Sequence, residues 1–358
     1  MIEFPAAMLL IMTKTAALIH SDNTHSLGSH PLLDAVAAIL KASGDSLRLD
    51  ILRILEQGAF GVLELASLFD MRQSGMSHHL KVLANAGLTI TQREGNQIFY
   101  RRPVTASTFA LQPAVRELVD VLFDTIDSTP ISIELQGKID AVHRQRAELS
   151  REFFNKNAER FKAQQELIAD YELYAPAARD LVASAQKTEA SSAVMEIGPG
   201  NGQFLAELAP LFDKVYALDN APAMLEKAKK FAEESRLPNI EFILGDTGIA
   251  VRQNLRVDAI VINMVLHHVS HPAALFLDSA KVLNSTGILV VTELMHHNQA
   301  WAREKCGDVW LGFEPEQLER WASDAGLKEL DAIHIGLRNG FQVQVRKFGR
   351  TDSVSAIS

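Results

Sequence analysis

From residue 31 the chain alternates stretches of helical periodicity with breaks. Apolar residues recur every three or four positions in LLDAVAAILKASG and in LRLDILRILEQG, and each run closes on a glycine, which tolerates the backbone found just past a helix end. A third short run, VLELASLF, precedes the turn DMRQS, and a fourth begins near Ser74 and stops at Gly87. The period then drops to two. LTITQREGNQIFYRR predicts two strands around Glu94, Gly95 and Asn96, a hairpin with turn-forming residues at its tip. Another amphipathic helix is expected over 107–123, within STFALQPAVRELVDVLFD, and DSTP at 127–130 breaks it. Residues 131–187 are charged and poor in glycine, with scattered apolar positions (Ile139, Leu149, Phe153, Phe154, Phe161, Leu167), and predict further helix. Beyond Thr188 short apolar strands alternate with helical stretches: SSAVMEI, KVYAL, IEFIL, DAIVINMV and GILVVTE. That alternation specifies a parallel α/β sheet covered on both faces.

At 358 residues the chain exceeds one ordinary core. The pattern divides it into an N-terminal extension (1–30), a unit at 31–106, a helical connector at 107–187, an α/β domain at 188–350 and a tail at 351–358. Helix, helix, turn, helix, hairpin is the order of a winged helix-turn-helix. The expected fold is therefore an α+β winged helix-turn-helix domain followed by an α/β, Rossmann-like domain. The longest purely apolar run, AAMLLIM, is far short of the roughly 20 residues a membrane span needs, and no membrane partner is expected. One cysteine, Cys306, excludes an internal disulfide or thiolate cluster and points to a reducing, cytoplasmic compartment. The formal charge of −9 argues against a general nucleic-acid coat, yet residues 71–102 hold five basic groups against one acidic. DNA contact, if present, belongs to that segment.

On a helix over 73–87, Met76, Leu80, Leu83 and Ala84 share one face, while Ser74, Ser77, His78 and Lys81 share the opposite one. A helix that follows a tight turn and carries small hydrogen-bonding groups near its start can enter the major groove. Arg72, Lys81, Arg93, Arg101 and Arg102 would meet phosphates. The adjacent His78 and His79 diverge by about 100° on a helix and are a poor joint metal grip. His78 falls on the outer face, and His79 beside the apolar stripe. The run QSGMSHHLKVLANAGLTITQREGNQIFYRR resembles the ArsR/SmtB family of winged-helix repressors, over roughly residues 31–103. The resemblance implies recognition residues Gln73, Ser74, Ser77 and His78, wing contacts near Arg93 to Asn96, a double-stranded operator as partner, and homodimerisation through the flanking helices. The cysteines of that family's arsenic sensors are missing from GVLELASLF, and the paired histidines of its zinc sensors from VRELVDVLFDTID. No metal is expected at either place, so the inducer is something else.

In VMEIGPGNGQFLAEL, Gly198, Gly200 and Gly202 follow an apolar strand and open a helix, allowing a tight turn and close backbone approach to a ligand. Asp219 ends the next strand, where its carboxylate can accept from both hydroxyls of a ribose, and Asp246 ends the one after. Together these motifs resemble the class I S-adenosylmethionine-dependent methyltransferases, over about residues 150–347, with a seven-stranded sheet. The resemblance implies that Glu196 and the glycines hold the methionine part, Asp219 the ribose, and Asp246, with Thr247 beside it, the adenine. It also makes GFQVQVRKFG an antiparallel last strand. NMVLHHVSHP puts Asn263, His267 and His268 at the substrate edge. His267, His268, His296 and His297 are the candidates for a catalytic base, with none singled out. NMVL lacks the Pro-Pro-aromatic of amino-methylating DNA enzymes, and Cys306 lacks the preceding proline of cytosine-C5 enzymes. A small molecule is the substrate that remains. The expected function is an ArsR-type regulator whose C-terminal domain binds S-adenosylmethionine or S-adenosylhomocysteine and methylates a small molecule. The alternative is an active small-molecule methyltransferase whose DNA-binding domain is autoregulatory.

Overall fold

The computed structural model describes residues 30–94, 97–103, 113–160, 165–185, 192–299 and 301–350. The expected tail, the hairpin tip at residues 95 and 96, and the extension apart from His30 lie outside them. Among the described residues no helix is long and apolar enough to cross a membrane.

The first unit runs α1 (Pro31–Ser43), α2 (Ser46–Ile54), β1 (Phe60–Gly61), α3 (Val62–Leu68), α4 (Gln73–Asn85), β2 (Ile90–Glu94) and β3 (Gln97–Arg101). Local chemistry sets the breaks. The Asp45 side chain caps α2 by accepting from the Arg48 N–H at 3.0 Å. Glu64 reaches back to the Gly61 N–H at 2.7 Å and starts α3. Asp70 turns the chain between α3 and α4 at φ 52°, a left-handed conformation that aspartate tolerates. The three strands form an antiparallel sheet in the order β1-β3-β2, with β1 too short to leave a period in the sequence. Leu52, Ile54, Leu65, Met76, Leu80 and Leu83 are fully buried beneath it.

The stretch expected as a connector is shared between the two halves. Helix α5 (Pro113–Asp127) and the first half of α6 (Ile133–Asn157) complete the first core with Val115, Val119, Phe123, Ile126 and Ile139. Helix α7 (Tyr171–Ala183) packs instead on the large sheet through Tyr174, Ala178, Leu181 and Val182. Arg102, expected on phosphate, points inward. Its guanidinium pairs with both Asp127 oxygens at 2.7 Å, its Nε donates to the Leu52 carbonyl at 2.6 Å, and it lies 4.4 Å from the Phe123 ring centre. Arg101 is also half-buried, and burial pushes its guanidinium down to about 10. It faces Trp310, Gln317 and Arg320 of the second unit rather than a groove.

That second unit is a seven-stranded sheet: β4 (Ala193–Ile197), β5 (Lys214–Asp219), β6 (Ile240–Leu244), β7 (Val257–Asn263), β8 (Leu283–Leu294), β9 (Leu327–Gly336) and β10 (Gln342–Arg350). Its order is β6-β5-β4-β7-β8-β10-β9, and β10 runs antiparallel to both of its neighbours. Period-two side chains feed two cores. Val194, Ala217, Val261, Val290 and Val343 face α7. Met195, Leu218, Ile260, Leu289 and Phe348 face α11 (Pro272–Val282) and α13 (Pro315–Asp324). Short α8 (Leu205–Leu208) and α10 (Thr247–Arg252), α9 (Pro222–Glu234) and α12 (Trp301–Cys306) fill the connections. The sheet reverses its winding at β4, and the carboxyl ends of β4, β5 and β7 open a crevice there.

One arginine on α6 ties the two units together. Arg146 Nε donates to Glu64 at 2.8 Å, its Nη2 to the other Glu64 oxygen and to the Ala59 carbonyl at 3.1 Å. The guanidinium also lies 5.3–5.5 Å from the ring centres of Phe60, Phe99 and Trp310. Trp310 belongs to the second unit, stands edge-on to Phe99, and donates its indole N–H to the Val269 carbonyl at 2.7 Å. Replacing Arg146 by alanine is expected to lower the unfolding free energy by about 2 to 3 kcal/mol, since Glu64 loses its partner but keeps some solvent. Urea unfolding measures this, and a loss below about 0.5 kcal/mol, the level of an ordinary surface change, refutes the assigned role.

Candidate functional site

Helix α4 presents two different faces. Arg72, Gln73, Ser74, His78 and Lys81 are exposed, Ser77 is half-buried, and Met76, Leu80 and Leu83 are buried. His79 is half-buried with its Nδ1 lacking a hydrogen-bond partner among the described residues. The Arg93 backbone belongs to β2, and its side chain lies outside the described residues. The exposed face carries donors and acceptors in the size range that a major groove admits.

The crevice at the sheet's winding reversal holds a cavity of about 390 Å³, within the range of small-molecule sites. Its floor is the turn after β4. Gly198, Gly200 and Gly202 have φ of 68°, 57° and 81°, a region closed to most side chains. A Cβ on Gly198 would lie 2.6 Å from a Val265 methyl, and one on Gly202 would lie 3.0 Å from the Ala228 Cα. The turn is closed by Gly198 N–H on the Leu218 carbonyl at 2.8 Å and Gly202 N–H on Pro199 at 2.7 Å. Glu196, Asp219, Asp246, Thr247 and Asn263 all line the same cavity. Asp219 accepts from the Ala221 N–H at 2.8 Å, and burial pushes its carboxyl up to about 6. Thr247 is oriented by donating to Asp278 at 2.7 Å. Glu196 is buried, which pushes it up to about 8, and the Asn263 amide beside it pulls back only in part. Glu196 Oε2 and Asn201 Nδ2 are buried without a partner among the described residues. Unmatched polar atoms around a glycine cradle fit a ligand with a polar amino-acid end.

Of the four histidines proposed as a base, only His268 lines the cavity. His267 is 2% exposed and turned away, with Nδ1 2.5 Å from Glu293. His297 is buried edge-on against Phe341, and His296 is exposed outside the cavity. Two imidazoles that no sequence motif singled out join His268: His271, at the start of α11, and His143, from α6. Their rings are 4.4 Å apart, and His143 stacks at 5.5 Å on Phe60 of the first unit. Ser150 and Phe154, two and three turns further along α6, continue the wall, and Ser150 donates to the His268 carbonyl at 3.0 Å. Burial pushes His143 down to about 3, helped by His271 and Arg146, and lowers His268 and His271. These rings are neutral near pH 7. They are poor proton holders, and a neutral imidazole can accept a hydrogen bond from a hydroxyl or amine.

A family model described as a helix-turn-helix domain matches residues 44–93, and one described as a methyltransferase domain matches residues 195–291. The biofilm growth-associated repressor of Agrobacterium fabrum is 46% identical over 66 residues, 18% of this chain and 56% of that protein. The HTH-type transcriptional regulator NmtR of Mycobacterium tuberculosis is 43% identical over 65 residues, 18% of this chain and 54% of its own. The chain thus spans little more than half of either regulator. A ubiquinone biosynthesis O-methyltransferase of Xanthomonas axonopodis pv. citri is 25% identical over 182 residues, 47% of this chain and 76% of that enzyme. The chain therefore carries an ArsR-type helix-turn-helix domain followed by a class I methyltransferase domain.

His143 makes a pH test possible. Its folded pKa lies below the unfolded value of 6.5, so its contribution to stability is full above pH 6.5 and is lost as pH falls toward about 3. His143→Gln removes that proton uptake. Urea unfolding at pH 7.5 and pH 5 is expected to show a smaller acid-induced loss in the variant, and equal losses contradict the burial of this ring.

Proposed function

We propose that the protein is a DNA-binding transcription regulator whose C-terminal cavity binds S-adenosylmethionine or S-adenosylhomocysteine and methylates a small molecule. The observation that carries this reading is the division of labour on α6. Its first half is built into the core of the DNA-reading unit through Ile139, and Arg146 holds the capping residue of α3. Its second half supplies Ala147, Ser150 and Phe154 to the cavity. A ligand that prefers one position of this helix acts on the DNA-reading unit without touching it, which is the requirement for linkage between two sites.

Within the cavity Asp219 would hold the ribose hydroxyls, Glu196 and the glycine turn the methionine end, and Asp246 with Thr247 the adenine side. When bound, S-adenosylmethionine supplies an electrophilic methyl on a sulfonium. His143, His268 and His271 would orient the acceptor at the far end, and α6 would exclude water there. On α4, Gln73, Ser74, Ser77 and His78 would read base edges of an operator while Arg72, Lys81 and Arg93 meet phosphates.

Operator duplexes selected by the protein from a random library provide the probe. S-adenosylhomocysteine is expected to shift operator affinity by about 5- to 150-fold, the usual span of such couplings. Asp219→Ala should abolish both that shift and calorimetric binding of the nucleoside, while Ser77→Ala with His78→Ala should weaken only the DNA. Operator affinity unmoved by saturating nucleoside removes the regulatory reading.

The protein is also proposed to act as a homodimer. Leu33 and Leu40 on α1 and Val121 on α5 remain 65%, 56% and 58% exposed, an apolar surface on the two flanking helices. Light scattering is expected to give a dimer for the native chain and a monomer for Leu40→Glu with Val121→Glu, and an unchanged mass would place the interface elsewhere.

A further inference from the structure

At the cavity wall three side chains converge, and of them the proposed reaction uses only His268, the one that lines the cavity. His267 Nε2 lies 4.0 Å, and His268 Nδ1 3.7 Å, from the same oxygen of Asp308, and the three ligand atoms all fall within 4.8 Å of one another. The side chains are 2%, 11% and 0% exposed. Both separations are too long for hydrogen bonds, whose usual upper limit is about 3.2 Å. They are close to the roughly 3.4 Å expected between two atoms that each sit about 2.1 Å from one tetrahedral ion. Contractions of about 0.6 and 0.3 Å bring the two separations to that value.

The surroundings hold these donors in place. Glu293 occupies His267 Nδ1 at 2.5 Å and leaves Nε2 as the ring nitrogen that faces Asp308, the carboxylate–imidazole arrangement found behind metal-bound histidines. The His267 carbonyl accepts from the Val309 and Trp310 N–H groups at 2.8 and 3.0 Å, so the loop that carries Asp308 is fastened to the histidine pair. That loop turns at Gly307, with φ 77°, where a Cβ would lie 2.4 Å from the Phe153 ring. His268 Nδ1 also approaches the Gly307 carbonyl at 3.3 Å, at the long end for a hydrogen bond.

We infer that His267, His268 and Asp308 form a site for one divalent transition-metal ion of the zinc type, separate from the nucleoside cavity and sharing its His268 wall. Two imidazole nitrogens with a single carboxylate suit zinc, iron or cobalt, whereas magnesium and calcium take oxygen sets. With three protein ligands the fourth position is left for water or for a donor reaching in from the cavity. The ion would fasten the turn after β7 to the loop after α12 and so set the position of the acceptor wall.

The test uses the full chain stripped with a chelator, then titrated with zinc against a chromophoric competitor and weighed for metal by mass spectrometry, without nucleoside or DNA. One tightly held zinc per chain is expected, and cobalt should give the visible absorption of a low-coordinate nitrogen–oxygen site. Asp308→Asn and His268→Gln should each weaken binding at least about tenfold, and Glu293→Gln by about 10- to 100-fold through loss of the His267 orientation. His78→Ala with His79→Ala, on the surface of α4, should leave it unchanged. The inference is overturned by native protein that fails to retain a stoichiometric ion, a result that depends on no variant folding. It is also overturned by undiminished binding in folded Asp308→Asn, or by loss of the ion with the α4 pair.

Discussion

A guanidinium is a planar fork with five donors and two faces, and Arg146 uses most of both. Its edge is taken up by Glu64 and the Ala59 carbonyl, and the rings of Phe60, Phe99 and Trp310 surround it. Glu64 is at once its counter-ion and the residue that begins α3. The helix that leads into the DNA-reading turn is therefore positioned by a charge mounted on α6. Lysine, a compact point charge, would supply the attraction without the two-pronged geometry or the flat contact with the rings. Arg146 acts beside an apolar contact between the two units, in which Ala59 and Phe99 share a buried cluster with Trp310 and Phe313.

The cavity inherits its shape from the same helix. Its floor is set by the sheet, through backbone turns that only glycine makes without strain, and is therefore rigid. Its roof is set by α6 and by the histidines that touch it, which are held by ring contacts and single hydrogen bonds. Floor and roof thus belong to different elements, the sheet on one side and α6 on the other. The neutrality of His143, His268 and His271 follows from burial, and it removes the charge repulsion that three adjacent imidazolium groups would bring.

Much of this architecture is legible in the residues. The change of period at Leu88 marks the hairpin, and the change of texture after Thr188 marks the sheet, because local periodicity records which faces are buried. Asp219 and Asp246 are placed by a local rule, at the ends of strands, and Glu196 by the family resemblance, and the structure lines the cavity with all three. What was not legible depends on distant contacts. Arg101 and Arg102 have the right chemistry for phosphate, and only the fold shows Arg102 turned inward to Asp127. His143 carries no motif and meets His271 from a separate unit of the chain. Strand β9 was not singled out, since at the edge of the sheet its burial alternates only weakly.

The position of β10 has a consequence for biosynthesis. It lies between β8 and β9, so the strand of this sheet that is latest in chain order among the described residues is an interior member. Until it is synthesised, β8 presents an open edge and β9 has no neighbour, and the α/β half cannot close. The first unit, whose core is completed by α5 and the first half of α6, has been synthesised long before that. A nascent chain halted in between holds a first unit with its core in place beside an unfinished sheet whose β8 edge is still open.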